Sequence, residues 1–182
     1  MNAGKYKGKK LLLPSLETTR STKSILKNAF FNSIQAEIHG THFIEMFGGS
    51  GSMGLEALSR GATHAYFIEK DPLAFKILEK NCANIDKIHT LCFNGDAFSE
   101  LSRVIKIALE PIILYVDPPF SIRKGMDEIY EKIIKTVKKV DSSKVSLMAV
   151  EYMSGIHIPE NLGNFSLKKT KRFGKSSLAF YI

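Results

Sequence analysis

Three observations predict an open α/β fold, with a largely parallel sheet, helices on both faces and a β-hairpin at the end. From residue 42 onward, apolar runs of strand length alternate with helical patterns, the signature of βαβ units. A glycine-rich turn joins the first of those runs to a helix. The C-terminal stretch then switches to period two about Phe173-Gly174-Lys175. With 182 residues, 44% of them hydrophobic, the chain is long enough for one core and needs no second domain.

Taken in order, Lys5 to Pro14 reads as a short basic hairpin or extended arm, and residues 15–21 are polar, so 1–21 form an N-terminal arm and 22–182 the main domain. Thr22 is placed to cap a helix in which Ile25, Leu26, Ala29, Phe30, Ile34 and Ile38 recur at three- and four-residue spacing until Gly40. Strands are expected near 42–47, 63–69, 88–93, 111–116 and 145–151, with helices near 51–60, 71–84, 97–107 and 126–139. Phe165 and Leu167, then Leu178, Phe180 and Ile182, form the two sides of the final hairpin.

The net charge of +8 is concentrated at the ends. Residues 1–40 carry seven basic and two acidic side chains, and residues 163–182 five basic and none acidic. A near-neutral middle with basic ends assigns polyanion binding to the termini and chemistry to the centre. The apolar stretch Leu11-Leu12-Leu13 stops at Pro14, too short for a signal core or a membrane span, so a soluble, cytoplasmic protein is expected. Cys82 and Cys92 sit in apolar surroundings and the five histidines lack ligand-like spacing, so neither disulfide nor metal is expected.

The first strand leads into Glu45-Met46-Phe47-Gly48-Gly49-Ser50-Gly51-Ser52-Met53-Gly54 and then a helix. Glycines permit a tight turn and close approach of a ligand to the backbone, while the helix start offers free N–H groups. Gly49, Gly51 and Gly54 match a dinucleotide fingerprint, and Glu69, at the end of the second strand, is placed to take ribose hydroxyls. The site therefore suits an adenosine-containing cofactor, held by Glu45, Phe47, Gly48, Gly49, Ser50, Gly51, Glu69, Lys70, Asp96 and Ala97. Glu45 favours S-adenosyl-L-methionine over a nicotinamide dinucleotide, because an acid beside the glycines accepts from an amino group but repels a pyrophosphate. Asp96, after the third strand, is placed for an adenine amine.

Asp117-Pro118-Pro119-Phe120 ends the fourth strand and is suited to a planar exocyclic amine. Such a nitrogen attacks poorly until acceptors hold its N–H bonds. Asp117 supplies one acceptor and the Pro118 carbonyl another, on a segment stiffened by two prolines, and Phe120 offers a stacking face. Four acids thus fall at four successive strand ends, which share one rim in a parallel sheet.

This combination resembles the class I methyltransferases, and among them the bacterial family that methylates guanine N2 of 16S ribosomal RNA. The resemblance rests on Gly4, Tyr6, Gly8, Leu11 and Pro14, on Arg20-Ser21-Thr22 with Ala29-Phe30-Phe31-Asn32, on Phe47 to Ala62, and on Asp117 to Phe120. Ser21, Lys27, Asn28 and Glu45 depart from the family's usual residues. The resemblance implies a Rossmann-like seven-stranded sheet with a final antiparallel strand. It also implies S-adenosyl-L-methionine as methyl donor, Asp117, Pro118, Pro119 and Phe120 as catalytic segment, and a guanine in the small ribosomal subunit or its assembly intermediate as acceptor. A monomer is expected. Lys5, Lys7, Lys9, Lys10, Arg20, Lys23, Lys27, Arg123 and Lys124 are the candidate RNA-binding cations. An adenine-N6 or glutamine-N5 methyltransferase shares the acceptor chemistry. A nicotinamide oxidoreductase would leave Asp117 to Phe120 unexplained, and a non-catalytic RNA-binding assembly factor would not need the four acids.

Overall fold

The computed structural model describes residues 1–14, 20–118 and 126–182, with only the backbone described for 20–23 and 126–127. The elements are α1 (Arg20–Ser33), β1 (His42–Glu45), α2 (Ser52–Arg60), β2 (His64–Glu69), α3 (Pro72–Asp86), β3 (Thr90–Asn94), α4 (Ala97–Ile107), β4 (Ile112–Val116), α5 (Met126–Val137), β5 (Val145–Met153), β6 (Asn161–Leu162), β7 (Phe165–Phe173) and β8 (Ser176–Tyr181). The strands form one sheet in the order β3-β2-β1-β4-β5-β8-β7-β6. The first five pair in parallel, and β8 runs antiparallel between β5 and β7. The predicted α/β class and C-terminal hairpin are therefore present. The strand number is eight instead of seven, because Asn161–Leu162 adds a two-residue edge to β7.

Every residue of β1 and β4 is buried, as two helix-covered faces require. On one face Ile44, Tyr66, Leu114 and Met148 pack with Leu101 and Val104 of α4 and Ile133 and Val137 of α5. On the other, Phe43, Tyr115 and Ala149 pack with Leu26, Phe30 and Phe31 of α1 and Leu178 and Phe180 of β8. Chain order reverses between β1 and β4, so the rim above those two strands is the switch point where ligands bind in open α/β sheets.

Several boundaries differ from the periodicity. Helix α1 begins at Arg20, so Thr22 lies inside it, and stops at Ser33, whose hydroxyl bonds back to the Ala29 carbonyl at 2.6 Å. Ile34 and Ile38 remain buried but sit in turns. The third strand starts at Thr90, and Ile88, expected within it, is 83% exposed. Residues 1–14 form no ladder among the described residues. The N–H groups of Asn2 and Ala3 donate to Glu56 (2.8 and 3.0 Å), that of Lys5 to the Ser59 carbonyl (2.7 Å), and that of Tyr6 to the Ser59 hydroxyl (2.9 Å). Asn81 on α3 both accepts from the Leu12 N–H and donates to its carbonyl, each at 2.9 Å. The arm is thereby docked on α2 and α3. Among the described residues no helix is long and apolar enough to cross a membrane, and no acid, histidine or cysteine cluster could hold a metal.

Candidate active site

The turn from β1 to α2 is built by glycines. Gly49 (φ 50°) and Gly51 (φ 76°) occupy the left-handed region, and Gly51 donates to the Gly48 carbonyl at 2.7 Å, closing the loop. Gly54 serves packing, since a Cβ there would lie 2.4 Å from the Phe67 ring on β2. At Gly49 a Cβ would meet nothing within 4 Å, so the loop's outer side is open to a ligand.

Each predicted acid occupies this rim. Glu45 is buried and accepts from the N–H groups of Gly54 (2.8 Å) and Met53 (3.4 Å) in the first turn of α2. Burial dominates over those bonds and pushes its carboxyl up to about 8. Glu69 accepts from Gly49 N–H (2.7 Å) and from Asp71 N–H (2.8 Å). Asp96 caps α4 by accepting from Phe98 N–H at 2.9 Å and meets the Lys70 ammonium at 3.2 Å. Burial raises the Asp96 carboxyl, but those partners together hold it below its ordinary value. Ala97 opens α4 and is buried beneath the rim. Phe47 and Phe98 meet edge to face at 5.8 Å.

Beside the glycine loop lies a cavity of about 760 Å³. Glu45, Phe47, Gly48, Gly49, Ser50 and Asp117 line it, as do Tyr115, Glu151 and the arm residues Lys9 and Lys10. Thus Asp117 faces one chamber with five of the cofactor candidates, whereas Gly51, Glu69, Lys70, Asp96 and Ala97 are not among its lining residues. Pro118 is buried directly after Asp117. Pro119, Phe120, Arg123 and Lys124 lie outside the described residues, as do the side chains of Arg20 and Lys23. Lys5, Lys7, Lys9 and Lys10 are exposed. Lys27 is not, and its side chain, 13% exposed, donates to the Ser52 hydroxyl at 3.1 Å and lies 3.8 Å from Glu56. It is itself part of the chamber lining, and a buried lysine requires such partners.

Two chamber residues escaped the sequence reading. Tyr115 donates to Glu151 at 3.0 Å, and both are buried. The available signal was an acid inside the otherwise apolar run Val145 to Met153. Phe98, two residues after Asp96, also went unremarked; an aromatic at the first turn of a rim helix is its signal.

A glycine loop at the switch point, acids on the ends of β1, β2, β4 and the β3–α4 turn, and an antiparallel β8 beside β5 define a Rossmann-like methyltransferase. Residues 1–182 match the profile of the family described as "Conserved hypothetical protein 95", and the chain belongs to that family. It is 29% identical to ribosomal RNA small subunit methyltransferase D of Escherichia coli strain K12 over 178 residues, covering 98% of this chain and 86% of that one. The protein of that name from Haemophilus influenzae is 39% identical over 124 residues, covering 65% and 62%. A solved Escherichia coli structure described as a candidate methyltransferase superposes with a TM-score of 0.77 at 29% identity, covering 99% of this chain and 94% of that one.

Proposed function

We propose that this protein transfers a methyl group from S-adenosyl-L-methionine to the exocyclic N2 amine of a guanine in 16S ribosomal RNA of the small subunit or its assembly intermediate. The observation that carries this reading is the shared chamber, in which Asp117 stands on the same rim as Glu45 and the glycine loop. The small-subunit acceptor is supported by the names of the curated relatives.

The chain's residues fit the donor. Open space above Gly49 admits a ligand against the backbone, Glu69 is held against the loop by the Gly49 N–H, and Glu45 faces the chamber, where it would meet an amino group. When bound, the donor supplies a sulfonium whose methyl is already activated. Asp117 and the Pro118 carbonyl accept from the two N–H bonds of the base amine and direct its lone pair at the methyl carbon. With the donor bound, its methyl would pass to this nitrogen, and the Asp117 carboxylate would accept the proton that the nitrogen then sheds. The carboxylate stabilises the positive charge that grows on nitrogen, and alignment supplies much of the remaining acceleration. Lys5, Lys7, Lys9 and Lys10 are exposed, Lys9 and Lys10 line the chamber, and all four are assigned to RNA phosphates. The protein is assigned to the cytoplasm as a monomer that works without metal.

The test is methyl transfer from labelled cofactor to small subunits lacking the modification, followed by nucleoside analysis. N2-methylguanosine is the expected product. Label in N6-methyladenosine, or in protein alone, would overturn the assignment.

A further inference from the structure

Glu151 lies near the end of β5 and lines the chamber together with Asp117. Strands β4 and β5 pair in parallel with Tyr115 opposite Ala149 and Val116 opposite Val150. Continuing that register places Glu151 beside Asp117, on the sheet face shared by Tyr115, because side chains alternate along a strand. Adjacent strands lie about 4.8 Å apart. Both acids line the chamber. Glu151 is buried and accepts at Oε2 from the Tyr115 hydroxyl at 3.0 Å, which fixes the orientation of its carboxylate. A carboxylate has about four acceptor positions, so it can hold this bond and a base N–H together.

We infer that Glu151 accepts from the N1–H of the target base and thereby selects guanine over adenine. The inference rests on the guanine-N2 assignment and extends it from the reaction to base choice. In guanine the N1–H and N2–H groups are adjacent donors on one edge, so two neighbouring carboxylates can take them side by side. Adenine presents a lone pair at N1. Set against Glu151, that lone pair would repel the carboxylate and offer it no proton, so the charged hydrogen bond made with guanine is replaced by a repulsion. Tyr115 is the positioning residue, since its hydroxyl holds Glu151 in place.

The experiment places guanine or 2-aminopurine, by ligation, at the acceptor position mapped by nucleoside analysis in 16S RNA reconstituted into small subunits. The analogue keeps the 2-amine but carries a lone pair at N1. The wild type should favour guanine by about 10²-fold in kcat/KM, the scale of one charged hydrogen bond. In Glu151→Gln the amide oxygen can still take the Tyr115 proton while the NH₂ donates to the N1 lone pair. The preference should therefore shrink to within about tenfold, with the analogue's own rate rising. Equal use of both bases by the wild type would overturn the inference whatever the variant does. So would an unchanged ratio in an active Glu151→Gln enzyme, and either result leaves guanine-N2 methylation standing. Absence of transfer to guanine by the wild type would instead refute the underlying assignment and this inference together.

Discussion

Gly49, at the tip of the glycine loop, donates its backbone N–H to Glu69 at the end of β2, across 2.7 Å. One carboxylate thus sets the loop's position relative to the neighbouring strand while standing at the point assigned to the ribose. Its other oxygen accepts from Asp71 N–H at 2.8 Å, so its orientation is fixed before any ligand arrives. Glu69→Gln keeps the shape but replaces one acceptor by a donor facing Gly49 N–H or Asp71 N–H. Calorimetric titration with S-adenosyl-L-methionine should show affinity reduced by about 10- to 100-fold, from charged hydrogen bonds of roughly 1.5–3 kcal/mol. Unaltered affinity would remove Glu69 from the cofactor site.

Glu45 gives a pH dependence whose sign follows from its raised carboxyl. Unfolded, it titrates near its ordinary value of 4.5; folded, it keeps its proton until about 8. Between those values the native state binds more protons, so stability is greatest at the acid end of the window and falls as pH rises toward 8. Glu45→Gln cannot ionise and still offers an oxygen to Gly54 N–H. Denaturant unfolding between pH 5 and 8.5 should show the wild type losing stability relative to this variant, by at most ~1.4 kcal/mol per pH unit. Parallel profiles would contradict the assignment.

Much of this architecture is readable in the chain because its signals are local. Gly48 to Gly54, Glu69 and Asp96 belong to strand–turn–helix junctions, where short spacing fixes both the turn and the rim position. The sheet's fifth neighbour is not local. Glu151 comes level with Asp117 only through pairing of strands more than thirty residues apart in sequence, so its acid reads as a lone polar residue in a buried strand. Lys27 misleads for the complementary reason. Its charge suggests a phosphate contact, but helix α1 turns it onto Ser52 and Glu56. The arm's composition records its charge and not its docking, which depends on Glu56, Ser59 and Asn81.

The loop's glycines separate packing from ligand access. Gly54→Ala drives a Cβ to within 2.4 Å of Phe67 Cε1, and the ring is fully buried with no room to retreat. Alanine's better helix propensity, worth ~1 kcal/mol, is opposed by overpacking of about 1–3 kcal/mol. Thermal melting should show a net loss of stability. Gly49→Ala meets open space but must adopt φ near +50°, at about 1–2 kcal/mol. It should weaken cofactor binding more than Gly54→Ala at equal loss of stability, because its Cβ enters the ligand's side of the loop. A reversed order would place the ligand elsewhere.

Asp117 distinguishes catalysis from binding. It follows β4, in the chamber but separated by β1 from Glu69, whose contact with Gly49 is assigned to the cofactor. Asp117→Ala should therefore leave calorimetric affinity for S-adenosyl-L-methionine within about twofold while lowering kcat by roughly 10²- to 10³-fold, the cost typical of removing one preorganised polar stabiliser. Asp117→Asn retains an oxygen acceptor but not the negative charge, so its rate should fall between the two if charge and geometry both contribute. Equal losses in Ala and Asn would make the charge the whole effect, whereas near-normal Asn would reduce Asp117 to a hydrogen-bond acceptor. Near-normal turnover by Asp117→Ala would mean that the amine is held by other groups, and the mechanism drawn from this rim would have to be abandoned.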